Sequence, residues 1–344
     1  MSTPRATRVS ELSSAKKIVV FGANAFSGQD FIDLLLENPQ YEVIGVSRRA
    51  ELPDFRLKYR NRRDLSRFRF VQADMNHDME SLLRMLDAEQ PQWIVNFAAQ
   101  SEVAPSWAHP EHWFNTNTVA LSKLVNHLRS RSYLQRYLHV SSPEVYGTCV
   151  GTIREDARMN PSTPYAASKA AADMLLETYR RQFNFPLLTV RATNVYGARQ
   201  QLFKIIPRSV IYIKLNRLIE LHGGGRAVKS YIHIRDVSQG ELAILERGRI
   251  GQLYHLSPDQ GVAVREVVSM ICDRLDKPLD QATRIVDERP GQDAAYVIDS
   301  TLARSELGWS PRISLAQGLT EVVDWVNENW LKIQQETLDY EHRA

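Results

Sequence analysis

The stretch Lys17–Pro39, KIVVFGANAFSGQDFIDLLLENP, decides the fold. Ile18 to Phe21 are four consecutive apolar residues, a short buried strand; a small-residue turn follows, and Phe31, Leu34 and Leu35 then recur at helical spacing. The unit is strand, tight turn, helix. The alternation continues downstream, with YEVIGVSRR (41–49) and FRFVQADM (68–75) as strands, MESLLRMLDAEQ (79–90) as a helix and QWIVNFAA (92–99) as a strand. The helix WFNTNTVALSKLVNHLRS (113–130), the strand YLHVSS (137–142), the helix TPYAASKAAADMLLETYRRQF (163–183) and the strand LLTVRATNVYG (187–197) complete the series. Strands separated by helices pair in parallel, so the pattern predicts an α/β fold with a doubly wound parallel sheet covered on both faces.

From Gly197 the pattern loosens into helical and strand-like pieces around a glycine run, HGGGRAVK. This predicts a smaller α/β substrate-binding domain over 197–335, a segment near 227–258 returning to the dinucleotide-binding domain of 17–196, a polar arm over 1–16 and a tail over 336–344. Of 344 residues, 43 are Lys or Arg and 40 Asp or Glu, a net charge of +3 that demands neither nucleic acid nor an anionic membrane as partner. Two cysteines, Cys149 and Cys272, have no metal-ligand spacing and read as packing residues. No apolar run approaches a membrane span and the N-terminus has no signal-peptide core, so a cytoplasmic protein is expected.

The turn GANAFSG (22–28) holds Gly22, Asn24, Ala25, Phe26, Ser27 and Gly28 at a strand-to-helix junction, where backbone amides and a helix N-terminus can accept a pyrophosphate. Ala25 stands where a middle glycine is usual. The second strand ends in Ser47, Arg48 and Arg49 with no acid to bind ribose hydroxyls, which favours NADP over NAD. Asp74 and Met75 follow the third strand, Asp74 as an adenine contact or a turn residue. In YAASK, Tyr165 and Lys169 are four apart and share a helix face. A tyrosine acts as a base only if its phenolate is stabilised, and a lysine ammonium beside an oxidised nicotinamide does that. Ser141 and Ser142 end a strand upstream.

These residues resemble the extended short-chain dehydrogenase/reductase family from Lys17 to about Trp330. The resemblance rests on GANAFSG, NFAAQS (96–101), Asn117, SSPEVYG (141–147), YAASK, RATNVYG (191–197) and ERPGQDAAYVIDSTLARSELGW (288–309). Within the family the chain is most similar to NDP-hexose 4,6-dehydratases of the GDP-mannose and dTDP-glucose types. The resemblance implies a Rossmann-type fold, a tightly bound NADP or NAD and a nucleotide-diphosphate sugar, in a homodimer paired through the helices of Asn117 and Tyr165. It assigns Phe97, Ala98, Ala99, Gln100, Asn117 and Ser141 to the cofactor, and Ser101, Pro143, Asn194, Lys229 and Arg289 to the substrate. Ser142 would bind the sugar C4 hydroxyl, Tyr165 would take its proton and Lys169 would hold Tyr165 and the nicotinamide ribose. Glu144 would remove the C5 proton as water leaves C6, and the hydride taken from C4 would return to C6.

Pro143 departs from the dTDP-glucose type, which has an aspartate there to protonate the leaving hydroxyl; proline cannot donate. Either Glu144 does both jobs, or a water or another residue supplies the proton. UDP-sugar 4-epimerases usually lack the glutamate, whereas UDP-glucuronate decarboxylases carry it and need an arginine for the substrate carboxylate; Arg199, Arg208 and Arg289 are the candidates. A reductase with exchangeable cofactor is the alternative from another class. Lys229 stands where an arginine is usual and His255 where an asparagine contacts the nucleotide, so the base remains open among GDP, dTDP, UDP and CDP.

Overall fold

The structure is a computed structural model that describes residues 15–148, 151–287 and 297–343. It begins β1 (Lys16–Phe21), α1 (Phe26–Leu35), β2 (Tyr41–Ser47), β3 (Phe68–Gln72), α2 (Met79–Glu89) and β4 (Trp93–Asn96). Next come α3 (Pro110–Phe114), a π turn over Asn115–Ala120, α4 (Leu121–Leu128), β5 (Arg136–Val140), β6 (Thr152–Ile153), α5 (Pro164–Phe183), β7 (Leu187–Ala192) and β8 (Asn194–Tyr196). The later part comprises α6 (Ile205–Lys214), β9 (Ile219–His222), β10 (Val228–Lys229), β11 (Tyr231–His233), α7 (Ile234–Arg247), β12 (Leu253–Leu256), β13 (Val262–Ala263) and α8 (Val264–Arg274). It closes with α9 (Leu279–Ala282), β14 (Thr283–Val286), β15 (Val297–Ile298), α10 (Thr301–Leu307), α11 (Leu315–Glu328) and α12 (Trp330–Ile333).

Seven strands form one parallel sheet in the order β12-β7-β5-β4-β1-β2-β3. Strand order reverses between β1 and β4, and a crevice opens at such a point beyond the carboxyl ends of the strands. Both faces of β1 are buried, as its unbroken apolar run requires: Ile18 and Val20 pack with Phe31, Ile32 and Leu35 of α1, and Val19 and Phe21 pack with Leu121 and Leu124 of α4. Each such side chain contributes about 1.5–3 kcal/mol on burial.

The long strand expected over 187–197 is two strands: β7 stays in the main sheet, while β8 pairs with β11. The returning segment supplies α7 and β12, and β12 pairs with β7 at the sheet edge. A separate apolar core joins Ile206 and Val210 of α6, Val267 and Ile271 of α8, and Leu319 and Val322 of α11. That layer faces the crevice from the far side. No helix among the described residues is long and apolar enough to cross a membrane.

Candidate active site

The turn after β1 is shaped by two glycines. Gly22 has φ +87°, and a Cβ on Gly28 would lie 2.2 Å from the Gly22 carbonyl oxygen, so α1 can start this close to β1 only with glycine there. Ala25 precedes α1 with no side-chain cap, which leaves the helix N-terminus open toward the crevice. Gly22, Ala25, Ser47, Arg48, Asp74, Met75, Phe97, Ala98, Ala99 and Gln100 line one continuous cavity beyond β1, β2 and β4. This cradle fits a dinucleotide: an anion site at the turn, an arginine at the end of β2 and an apolar slot past it.

Two expected cofactor contacts have other work. Asn24 spends its amide on the loop after β2: Nδ2 donates to the Ala50 carbonyl at 2.9 Å, and Oδ1 accepts from the Leu52 amide at 3.2 Å. It holds the arginine loop in place instead of reaching into the cradle. Asp74 accepts from the Asn76 amide at 2.8 Å, as a turn residue does, while also lining the cavity. Arg49 lies outside that cavity, on a second cleft bordered by the C-terminal segment.

Asn117 is carried on the π turn. Its Oδ1 accepts from the Gln100 amide at 2.8 Å, and its Nδ2 donates to the Gln100 carbonyl at 3.0 Å and to Ser168 Oγ at 2.9 Å. One side chain therefore ties the loop after β4 to the helix of Tyr165 and Lys169. π turns recur at functional positions because the extra residue re-aims a side chain.

Tyr165 and Lys169 are buried on the inner face of α5, whose N-terminus is capped by Thr163 Oγ1 accepting from the Ala166 amide at 3.1 Å. Both line a cleft of about 550 Å³, with Phe26, Ser27 and Ser101 on the cofactor side and Asn194, Lys204 and Lys229 opposite. Ser142 hydrogen-bonds the Tyr165 phenol, which lowers its pKa, but burial first and the Glu144 charge second hold that pKa above the ordinary value. Ser142 Oγ also accepts from the Glu144 amide at 3.2 Å, opening the short 3-10 turn Pro143–Tyr146. Pro143 is the first residue of that turn and is buried; its missing N–H costs nothing there, and its fixed φ suits the turn. The proline thus helps place Glu144 beside Tyr165.

A polar network lies beneath. Lys169 Nζ donates to the Val140 carbonyl at 2.7 Å and reaches His139 Nε2 at 3.5 Å. Asp173, one turn along α5, accepts at Oδ2 from Ser141 Oγ and from Arg191 Nη2, both at 2.6 Å. Burial lowers the Lys169 pKa to about 8 against the opposing pull of Asp173. Burial, aided by Lys169 and Arg191, holds His139 well below its ordinary value, so it is neutral. Ser141, expected at the cofactor, is committed to this network while still reaching the cleft wall.

Asn194 Nδ2 is buried with no hydrogen-bond partner among the described residues, on the wall where a diphosphate is expected. Lys229 lines the same wall, whereas Arg289 lies outside the described residues. His255 is fully buried: Nδ1 donates to the Asp299 carbonyl at 3.0 Å and Nε2 accepts from the Tyr146 hydroxyl at 2.7 Å. Burial pushes its pKa down to about 3, and it is a core residue instead of a nucleotide contact. Neither Arg199 nor Arg208 lines the cleft; Arg208 pairs with Asp339 at 3.2 Å. Sequence reasoning missed four residues: Asp173 and Arg191 below the site, and Glu102 and Lys204, an ion pair at 2.8 Å in the cleft wall. Asp173 is legible as the i+4 neighbour of Lys169, and Arg191 as a charge inside an apolar strand. The pairing of Glu102 with Lys204 spans 102 positions and leaves no local signal.

Fold and side chains together define an extended short-chain dehydrogenase/reductase. The chain belongs to the GDP-mannose 4,6 dehydratase family, whose model matches residues 19–322. It is 32% identical over 283 residues to a dTDP-glucose 4,6-dehydratase of Xanthomonas campestris pv. campestris, covering 76% of this chain and 80% of that protein. A trifunctional UDP-glucose 4,6-dehydratase of Arabidopsis thaliana is 30% identical over 321 residues, covering 91% of this chain and 47% of that protein. The dTDP-glucose 4,6-dehydratase of Streptomyces venezuelae, solved with NAD bound, superimposes with a TM-score of 0.86 at 31% identity, covering 94% of this chain and all of that one.

Proposed function

We propose that the protein is a nucleotide-sugar 4,6-dehydratase, a lyase that converts an NDP-hexose to its 4-keto-6-deoxy product around a retained nicotinamide cofactor. The observation that carries this reading is the turn capped by Ser142, which puts a carboxylate, Glu144, beside the Tyr165 phenol. A plain sugar oxidoreductase needs no base at that place; elimination does. A nicotinamide held in the cradle beyond β1 would supply the hydride acceptor and donor, and its positive charge would offset the burial that raises the Tyr165 pKa.

Tyr165, hydrogen-bonded to Ser142, takes the proton of the C4 hydroxyl, and Lys169 steadies the resulting phenolate. Oxidation at C4 makes the C5 proton acidic. Glu144 removes it and returns a proton to the departing C6 hydroxyl, which accounts for a proline where an acid would otherwise be needed. Asn194, Lys204 and Lys229 form the wall for the diphosphate.

Arg48, lining the adenosine cavity at the end of β2, supports NADP. The exposed apolar side chains of Phe114 and Val119 along α3 and the π turn, and of Met174 and Phe183 on α5, support a homodimer through that face. Met174→Arg should shift a dimer toward monomer by light scattering.

The test is incubation of purified protein with GDP-mannose, dTDP-glucose, UDP-glucose, CDP-glucose and UDP-glucuronate, with product masses and the extracted cofactor read by mass spectrometry. Loss of one water from a hexose nucleotide, with no net consumption of added NADPH, is the expected result. Loss of carbon dioxide from UDP-glucuronate, or an unchanged mass with C4 inverted, would overturn it.

A further inference from the structure

The sequence contains nine histidines, and three of them meet at one place away from the catalytic cleft. His109 and His112 flank Glu111 at the start of α3, and His342 comes to them from the C-terminal segment. The imidazole of His109, that of His112 and the Glu111 carboxylate can each offer a ligand atom, all within 4.8 Å of one another. Glu111 Oε1 is 3.5 Å from His112 Nε2 and 4.0 Å from His109 Nδ1. A tetrahedral ion with bonds of about 2.0–2.1 Å draws its ligand atoms to about 3.3 Å apart. The two exposed side chains, His109 and Glu111, can make that small adjustment by rotation.

A second observation is independent of this spacing. His112 Nδ1, the ring nitrogen on the other side from Glu111, lies 2.8 Å from His342 Nε2. With the proton on His112 Nδ1 donated to His342, the lone pair of His112 Nε2 is left facing Glu111 and His109. Metal-binding histidines are characteristically oriented by a hydrogen bond at the nitrogen they do not use. His342 is itself fixed: it stacks on the buried Trp113 at 5.0 Å and 11°, and its Nδ1 is 3.2 Å from the Tyr340 hydroxyl.

We propose that His109, Glu111 and His112 form a binding site for a divalent transition ion of the zinc class, with His342 as the residue that orients His112. Two imidazoles and one carboxylate make a borderline donor set suited to zinc or cobalt and poor for magnesium or calcium. Three protein ligands leave a fourth position for water. The ion also bears on the cofactor cleft. The residue after His342, Arg343, accepts at its carbonyl from Gln100 Nε2 at 2.6 Å, so a filled site holds the C-terminal segment against the cofactor loop.

The experiment uses untagged full-length protein, stripped with chelator and dialysed against zinc or cobalt chloride. One ion per chain is expected, and cobalt should give the intense visible bands of a tetrahedral site. His109→Ala and His112→Ala should each weaken zinc binding at least about tenfold, and His342→Ala by about tenfold, the usual effect of losing an orienting partner. His127→Ala, in the last turn of α4 and away from this cluster, should leave it unchanged, and metal-free melting temperatures of all four variants should stay close to that of the parent. Failure to take up one ion per chain, or uptake that survives His109→Ala and His112→Ala together, would overturn the proposal. If either variant misfolds, paramagnetic broadening of histidine resonances by cobalt in the parent protein decides the matter: resonances of His109 and His112 must respond before that of His127.

Discussion

Asp173 grips Arg191 Nη2 and Ser141 Oγ through a single carboxylate oxygen, each at 2.6 Å, directly below Lys169. Its charge opposes the burial that lowers the Lys169 pKa to about 8. Lys169 must be protonated to hold the phenolate, so turnover is expected to fall as pH rises through an alkaline limb set by Lys169. Asp173→Asn should move that alkaline limb to lower pH, read from kcat against pH. Leaving Arg191 buried without its partner should also cost about 3–5 kcal/mol, seen as a lower Tm. An alkaline limb that does not move would remove Asp173 from the tuning of Lys169.

The same shift has a stability sign. Below pH 8 the proton sits on Lys169 in folded and unfolded chains alike, and the burial penalty is fully present; it is relieved between about 8 and the ordinary value of 10.5. Lys169→Met removes the penalty together with the catalytic ammonium. It should abolish turnover without lowering Tm at pH 7, by activity assay and thermal melt of one preparation.

Tyr165→Phe deletes the base and its hydrogen bond to Ser142. Turnover should drop about 10²–10⁴-fold. Ser142→Ala removes the partner but leaves the phenol, and should cost less than Tyr165→Phe in kcat. The reverse order would mean that Ser142, not Tyr165, handles the proton.

Glu144 and Glu102 can be separated by single-turnover absorbance of the reduced cofactor. Glu144→Gln should still oxidise the sugar at C4 and then stall, accumulating reduced nicotinamide, with steady-state turnover down by about 10²-fold or more. Glu102→Gln should keep elimination within about tenfold, since Glu102 is engaged with Lys204 at 2.8 Å. Stalling in Glu102→Gln instead would make Glu102 the missing acid.

Gly28→Ala places a methyl 2.2 Å from the Gly22 carbonyl oxygen. Backbone atoms on both sides cannot yield, so the turn must open. The variant should purify without bound cofactor and melt lower than the parent by an overpacking cost of about 1–3 kcal/mol.

The parallel sheet and the shared helix face of Tyr165 and Lys169 were legible in local periodicity, apolar runs bounded by turns and a four-residue spacing, whereas Ser142 and Glu144 were singled out through the family resemblance of SSPEVYG. What the sequence hides is tertiary. Thr193 looks like the middle of one strand, and nothing near it marks the change from pairing with β12 to pairing with β11. His255 looks polar and available, yet β12 enters the sheet edge and puts it in the core with both ring nitrogens engaged. Asn24 has the right residue type for a phosphate turn, but its amide is consumed by the loop it closes. Pro143 shows the converse. It reads as a defect in a catalytic motif, and its sense appears only when the 3-10 turn is seen to need no N–H at that position.

The π turn over Asn115–Ala120 carries one residue more than an α-helix would use. Deleting any residue there would let the helix regularise at little local expense. The helix on either side would keep its facing, because the π turn absorbs its extra residue locally, but the side chains within the turn would be re-aimed. Asn117 would swing off Gln100, and Val119 would leave the exposed apolar row it shares with Phe114. Length variation in this short segment is therefore unlike length variation in a surface loop: a single codon lost here would uncouple the cofactor loop from α5 and scramble the neighbouring surface in the same event.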